Sequence, residues 1–384
     1  MMGIENTTEP AIIPSQKIVY LDHVKVLLTV LVVLHHAFIA YGGPGGWYYR
    51  QPATNLRTLL PITIFVSTNQ SFFMGLFFLL AAYFIEPSLK RKGTWVYLKD
   101  RFKRLVIPLL FYSLVLSPGI NFMAYRYGFL KKDTLAQYLS AYNDWANPGV
   151  LWFVVALLLF TLVFVALYNL KLTGSRSISK LQEGYVLLVA LGLGFASFLL
   201  RLVFPVGWVL MPFGFILGHF PQYIVMFTVG VMASRGKLAE NLDLKLAKRF
   251  AWLAVALLFI FFPFMFYVKT ITGAPTSNFN GGPNLEALMY SFYEQLLGIS
   301  IVVALTGISR FKWNKPSKLM SALSRNSFAV YLFHPLILVA ISLLLSRVYT
   351  TPTVKLAIAA PTAVICSFLF AEVILKIPGV NRII

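Results

Sequence analysis

Apolar residues run through this chain in ten long blocks, each close to the roughly 20 residues a helix needs to cross a ~30 Å hydrocarbon layer. The blocks predict helices at 18–41, 58–85, 101–122, 149–170, 184–204, 212–234, 249–269, 285–308, 322–346 and 353–376. The strict polar–apolar alternation of a membrane β-barrel is absent. The expected fold is therefore all-α, a polytopic membrane protein with about ten transmembrane helices. It divides into a polar N-terminal tail, 1–17, a single transmembrane domain, 18–376, and a short C-terminal tail, 377–384. No internal repeat suggests the two-halves design common in transporters.

Composition sharpens this picture. Of 384 residues, 58% are hydrophobic and 12% charged, against roughly 25% charged in a soluble domain. A net charge of +20 raises nucleic acid as a partner, but the distribution of the charge excludes it. Lys and Arg cluster in short segments between the apolar blocks. One set of alternate loops holds 22 of them and the other holds 7. The crowded set, with Lys17, the segment 90–104 and the C-terminus, is expected in the cytoplasm, so both termini should face it. The location implied is the cell membrane, crossed many times. The first 17 residues lack a basic segment followed by a short apolar core, so no cleavable signal is expected. The lone cysteine, Cys366, permits no intrachain disulfide.

Ionisable residues inside spans are costly unless paired or hydrated, so each marks a candidate site. The first helix carries Asp22, Lys25, His35 and His36. Lys25 and His36 lie 11 residues apart, about 20° in azimuth and about 16 Å along the axis. Asp22 and Thr29 share their stripe, while His35 and His23 point elsewhere. Further in, the topology places Arg201, His219 and Glu294 in the outer half of the membrane, with His334 near its middle, just before Pro335. On the cytoplasmic side stand Asp22, Lys25, Arg101, Arg104, Arg325 and Glu372, the last spaced to pair with Lys376. Arg101 and Arg104, one turn apart at the predicted start of the third helix, offer two guanidinium forks suited to phosphate. The outer segments 42–57 and 123–148 are rich in Gly, Pro, Trp and Tyr, a composition fit for an interfacial belt or for stacking sugar rings.

These residues resemble acyltransferase family 3. The resemblance rests on Tyr20-Leu21-Asp22-His23-Val24-Lys25 leading to Leu34-His35-His36, and on Phe72-Phe73-Met74-Gly75-Leu76-Phe77-Phe78. It continues through Arg101-x-x-Arg104 before Ile107-Pro108, Leu151-Trp152-Phe153, and Ser327-Phe328-Ala329-Val330-Tyr331-Leu332-Phe333-His334-Pro335. It closes on Glu372 and Ile377-Pro378. The match runs nearly end to end and looks most like the branch containing glucan-modifying succinyltransferases. There are two departures from the family pattern: Lys25 stands where Arg is usual, and Ala81-Ala82 where Ser-Gly is usual.

The resemblance implies an enzyme that takes an acetyl, succinyl or similar group from cytoplasmic acyl-coenzyme A and delivers it to a carbohydrate hydroxyl outside the membrane. Acyl-coenzyme A is then a co-substrate, with no permanently bound cofactor or metal. The partners implied are the extracytoplasmic glycan, the bilayer and, for the oligomeric state, either a monomer or a homo-oligomer. The family's essential histidine maps to His36 and its Arg pair to Arg101 and Arg104. Lys25, aligned with His36, is expected on the donor side with them. Arg201, His219, Glu294 and His334 are expected to bind the acceptor. His36 as general base needs an orienting partner; Asp22 is about 21 Å away, so Glu294 or another outer group is expected. The competing reading is a saccharide or lipid-linked substrate transporter or flippase, its path lined by the outer polar residues.

Overall fold

The structure, a computed structural model, describes residues 18–53 and 55–384. The tail expected at 1–17, Lys17 included, lies outside the described residues. Fourteen α-helices make up the described fold, and no strand is found among the described residues. The first crossing is α1, Val19–Ala40. The second is a rod in three pieces: α2, Leu56–Gln70, α3, Phe73–Tyr83, and α4, Ile85–Lys92. The third comprises α5, Thr94–Phe111, and α6, Ser117–Met123, joined through a wide π-helical turn. A short surface helix, α7, Leu135–Ala141, precedes α8, Trp152–Asn169, and α9, Glu183–Arg201. The remainder are α10, Phe220–Arg235, α11, Leu244–Thr272, α12, Leu285–Lys312, α13, Lys318–Ser346, and α14, Pro352–Ile374.

Nine of these stretches are long and apolar enough to cross a membrane. The tenth crossing, α10, has only 16 residues, or about 24 Å. The 3₁₀ turn Leu217–His219 leads into it and extends its reach to about 30 Å. Helix directions show that α10 does cross. Asp22 meets Ser324 and His36 meets His334, so α1 and α13 run parallel. That holds only if an odd number of crossings separates them in alternation, which requires α10 to be one. Consistently, α3 and α10 run the same way: Gly75 faces Gln222 and Met226, and Ala82 faces Gly230. Residues 22 and 372 both sit against the 324–326 turn of α13, so the two described ends of the chain lie at one end of the bundle.

Three boundaries differ from the sequence expectation, each for a local reason. The helix expected at 58–85 breaks at Ser71 and Phe72. The polar run 67–71 competes for its own backbone there; the Ser71 hydroxyl donates to the Thr68 carbonyl at 2.7 Å. Gln222 Nε2 donates to the Ser71 carbonyl at 2.7 Å, satisfying the broken ladder. Gly298 makes room for this break, since a Cβ there would stand 1.9 Å from the Ser71 oxygen. The third crossing begins at Thr94, so Arg101 and Arg104 sit about two turns inside a helix rather than at its start. Finally, 212–219 is irregular. Pro212, Gly214 and Gly218 interrupt the helix expected at 212–234, and His219 falls at the N-cap of α10.

Ala81 and Ala82, where the family pattern has Ser-Gly, fit this packing. Ala82 is fully buried, and the close approach of α3 to α10 is provided from the other side by Gly230.

Candidate active site

Four loops of the base-poor set cover one end of the bundle above a cavity of about 850 Å³. They contribute Trp47 and Tyr48, Asp144 and Asn147, Gly207, and Asn280 to its lining. Below them the walls carry His35 and His36 of α1, Gln70 of α2, His219 and Tyr223 of α10, and Tyr290 of α12. The mixture of aromatic faces with amide, carboxylate and hydroxyl groups suits a ligand rich in hydroxyls.

His36 reaches this cavity because α1 ends abruptly just above it. The chain reverses at Gly42, whose φ of +131° is open to glycine and strained for other residues. Gln51 N–H then donates to the Ala40 carbonyl at 2.8 Å, and Arg50 Nη2 to the Gly43 carbonyl at 3.0 Å. The returning loop lays Trp47 over His36, the rings stacked at 4.5 Å and 22°. Gln51 pins the loop to the rest of the bundle by donating to the Ser342 carbonyl at 3.1 Å and accepting from Lys355 Nζ at 3.0 Å. Deeper in, Tyr48 and Tyr112 share a hydroxyl hydrogen bond of 2.6 Å. Burial holds the Tyr48 phenol above its usual range, so it stays protonated at neutral pH. Gly149 permits that pair, since a Cβ at its position would stand 2.8 Å from the Tyr48 hydroxyl.

The partner of His36 is His334. Its Nε2 lies 3.0 Å from His36 Nδ1, and its Nδ1 lies 2.8 Å from the Tyr331 carbonyl. His334 is completely buried and also stacks near Trp47. His35, by contrast, packs its ring 4.9 Å from Phe73 of α3. Tyr331 ties α13 to the cavity wall through a hydrogen bond from its hydroxyl to the Val150 carbonyl.

Arg201, His219 and Glu294 are also brought together, behind the opposite wall. Arg201, 0% exposed, donates through Nε to the Gly218 carbonyl at 3.1 Å and through Nη1 to the Ser291 hydroxyl at 3.2 Å. Its Nη2 pairs with Glu294 Oε2. His219 Nδ1 stands 3.3 Å from Glu294 Oε1. Of the three only His219 borders the cavity, with the ion pair buried behind it.

The remaining expected site residues stand toward the other end of the bundle, and none lines this cavity. Lys25 lies 3.5 Å from Asp22, which in turn accepts from Ser324 at 2.9 Å. Arg101 donates to the Tyr97 hydroxyl at 2.9 Å and Arg104 is exposed. Glu372 meets Lys376 at 3.9 Å and accepts from Asn326 at 2.8 Å. Sequence reasoning did not single out Trp47, Asp144, Asn147 or Asn280. The aromatic character of 42–57 and 123–148 was the only signal pointing to the first three.

Ten helical crossings thus surround a polar chamber whose wall carries His36, half-buried and hydrogen-bonded to the fully buried His334. Residues 18–372 match the family model described as an acyltransferase domain, and the chain belongs to that family, acyltransferase family 3. It is thus a multi-pass membrane member of that family. Its curated relatives include glucans biosynthesis protein C of Escherichia coli K12 and of Shigella dysenteriae serotype 1, each 24% identical over 233 residues. The matched region is 58% of this chain and 59% of each relative, so the chain spans about three-fifths of their length. No solved structure matches the chain.

Proposed function

We propose that this protein transfers an acetyl, succinyl or similar acyl group from cytoplasmic acyl-coenzyme A to a hydroxyl of an extracytoplasmic carbohydrate. The observation that carries the reading is His36, a histidine set in the wall of a cavity lined by aromatic, amide and hydroxyl groups. Membership in an acyltransferase family supports the reaction class, and the name of the relatives, glucans biosynthesis protein C, supports a glycan acceptor. In this mechanism His36 takes the proton of the acceptor hydroxyl as its oxygen bonds to the thioester carbonyl carbon. The carbon–sulfur bond then breaks, and the departing thiolate recovers the proton from the imidazolium. Trp47, Tyr48, Asp144 and His219 hold the sugar. Arg201 and Glu294 set the His219 side of the cavity from behind.

Arg101 and Arg104 bind the donor phosphates at the cytoplasmic face, with Lys25 adding positive charge. Purified protein given radiolabelled acetyl- or succinyl-coenzyme A and candidate glycans should label the glycan. Arg101→Ala and Arg104→Ala should each raise the apparent KM for the donor by about 10-fold, the worth of one charge-assisted contact of roughly 1.5 kcal/mol. Failure to label any glycan would sink the reaction. Unchanged donor binding in a folded double mutant would leave the pair as topogenic charges only.

The cytoplasm lies on the side of 90–104 and of both termini in this reading. With Cys366 replaced, single cysteines placed in 42–57 should react with an impermeant reagent from outside, and those in 90–100 should not. The reverse pattern would invert the proposal and move the cavity to the cytoplasmic face.

A further inference from the structure

The hydrogen bonds around His334 leave little freedom in where the protons sit. A carbonyl oxygen can only accept, so the 2.8 Å contact with the Tyr331 carbonyl puts a hydrogen on His334 Nδ1. In a neutral imidazole the other nitrogen is then an acceptor. His36 Nδ1, 3.0 Å from that nitrogen, must therefore carry a hydrogen of its own. His36 Nε2 is left as the lone-pair nitrogen, the atom a general base needs.

The sequence His334-Pro335 explains why the Tyr331 carbonyl is available. Within α13 that carbonyl would accept from the backbone N–H of residue 335, four positions on. Residue 335 is proline and has no N–H to give. The side chain immediately before the proline takes the vacated acceptor. Other side chains near the pair do not compete for these protons, and the Val32 and Val330 backbone carbonyls, which also neighbour the His36 and His334 rings, can only accept. His35 approaches His36 edge-on, its ring centroid 5.6 Å away, and the Tyr331 ring stands 6.2 Å from His334. Trp47 stacks on both imidazoles. Among the described residues, no carboxylate hydrogen-bonds or ion-pairs with either ring.

We propose that His334 is a positioning residue: anchored on the carbonyl that Pro335 leaves vacant, it holds His36 in the tautomer whose Nε2 accepts the substrate proton. It acts through His36 and rests on the reading of His36 as the base. Once His36 is protonated, its Nδ1–H still points at His334 Nε2, so the ring keeps its orientation through the cycle. The same contact that sets the tautomer also stabilises the imidazolium.

Two kinds of measurement test this. In enzyme assays His334→Phe, which keeps an aromatic ring but offers no acceptor, should lower kcat by about 10- to 100-fold with KM for donor and acceptor little changed. His334→Gln, whose amide oxygen can accept from His36, should recover part of that loss. Pro335→Ala restores a helical donor to the Tyr331 carbonyl, in competition with His334. It should lower kcat without lowering the melting temperature, whereas a merely structural role for the His-Pro step would make activity follow stability. Independently, solid-state NMR of ¹⁵N-histidine-labelled protein in lipid has five histidines to resolve, with His36 assigned through His36→Gln. The resting enzyme should show hydrogen on His36 Nδ1, and His334→Phe should shift population to Nε2–H. Hydrogen on Nε2 in the wild-type protein would overturn the proposal. So would wild-type kcat in folded His334→Phe beside an inactive His36→Ala, which would leave the base assignment standing. Normal turnover in His36→Ala would overturn both.

Discussion

Replacing His36 with Ala should lower acyl transfer by about 10²–10⁴-fold, the usual contribution of a positioned general base, while donor binding stays near normal. His36 is the helix-1 histidine that both borders the cavity and engages a second imidazole, at 3.0 Å. His35→Ala should cost much less. Its ring packs on Phe73, and its Nδ1 is buried without a hydrogen-bond partner. Because Trp47 stacks on His36, a cavity left by Ala could disturb the loop, so His36→Gln serves as the volume control. Single-turnover assays with labelled acyl-coenzyme A, beside direct donor-binding measurements, give the comparison. Wild-type turnover in both His36 variants, or a deeper loss at His35, would remove His36 from the mechanism.

A comparably large effect, on stability rather than chemistry, is expected at Arg201 and Glu294. The two side chains are 0% and 2% exposed and pair within the bundle. Removing one partner leaves an uncompensated buried charge, a loss of about 3–5 kcal/mol. Set against a typical stability of about 5–15 kcal/mol, Glu294→Ala or Arg201→Leu should sharply lower the melting temperature and the folded yield. The paired replacement Arg201→Met with Glu294→Leu should recover most of the stability, since no charge is then stranded. The swap of Arg201→Glu with Glu294→Arg should recover less. A carboxylate at 201 would face the Gly218 carbonyl, which now accepts from the guanidinium at 3.1 Å, and two acceptors repel. Activity restored by the swap would mean that pairing alone matters here. Melting temperatures of the single variants equal to wild type would contradict the pairing.

The length and spacing of the apolar blocks already contained the all-α, ten-crossing architecture, because the cost of exposing backbone to hydrocarbon acts on each segment separately. Helix periodicity likewise set Lys25 and His36 on one stripe of α1 and turned His35 away, since azimuth within a helix depends on spacing alone. Local chemistry that the block pattern overrode is visible at Ser71, where a short polar run breaks a rod, and at 212–219, where Pro and Gly unwind a helix. Tertiary structure decided the partners. His36 and His334 are 298 positions apart, and Arg201 and Glu294 are 93 apart. Sequence reasoning looked to Glu294 or another outer group to orient His36 and to His334 to touch the acceptor; in the fold His334 meets His36 while Glu294 meets Arg201. Depth in the membrane can be counted along one helix. Which helix stands beside it, and at what rotation, follows from contacts such as Gly230 against Leu79 and Gly298 against Ser71, where missing side chains let particular backbones close. Those contacts are set by the whole bundle at once, so the site they build is not contained in any single segment of the chain.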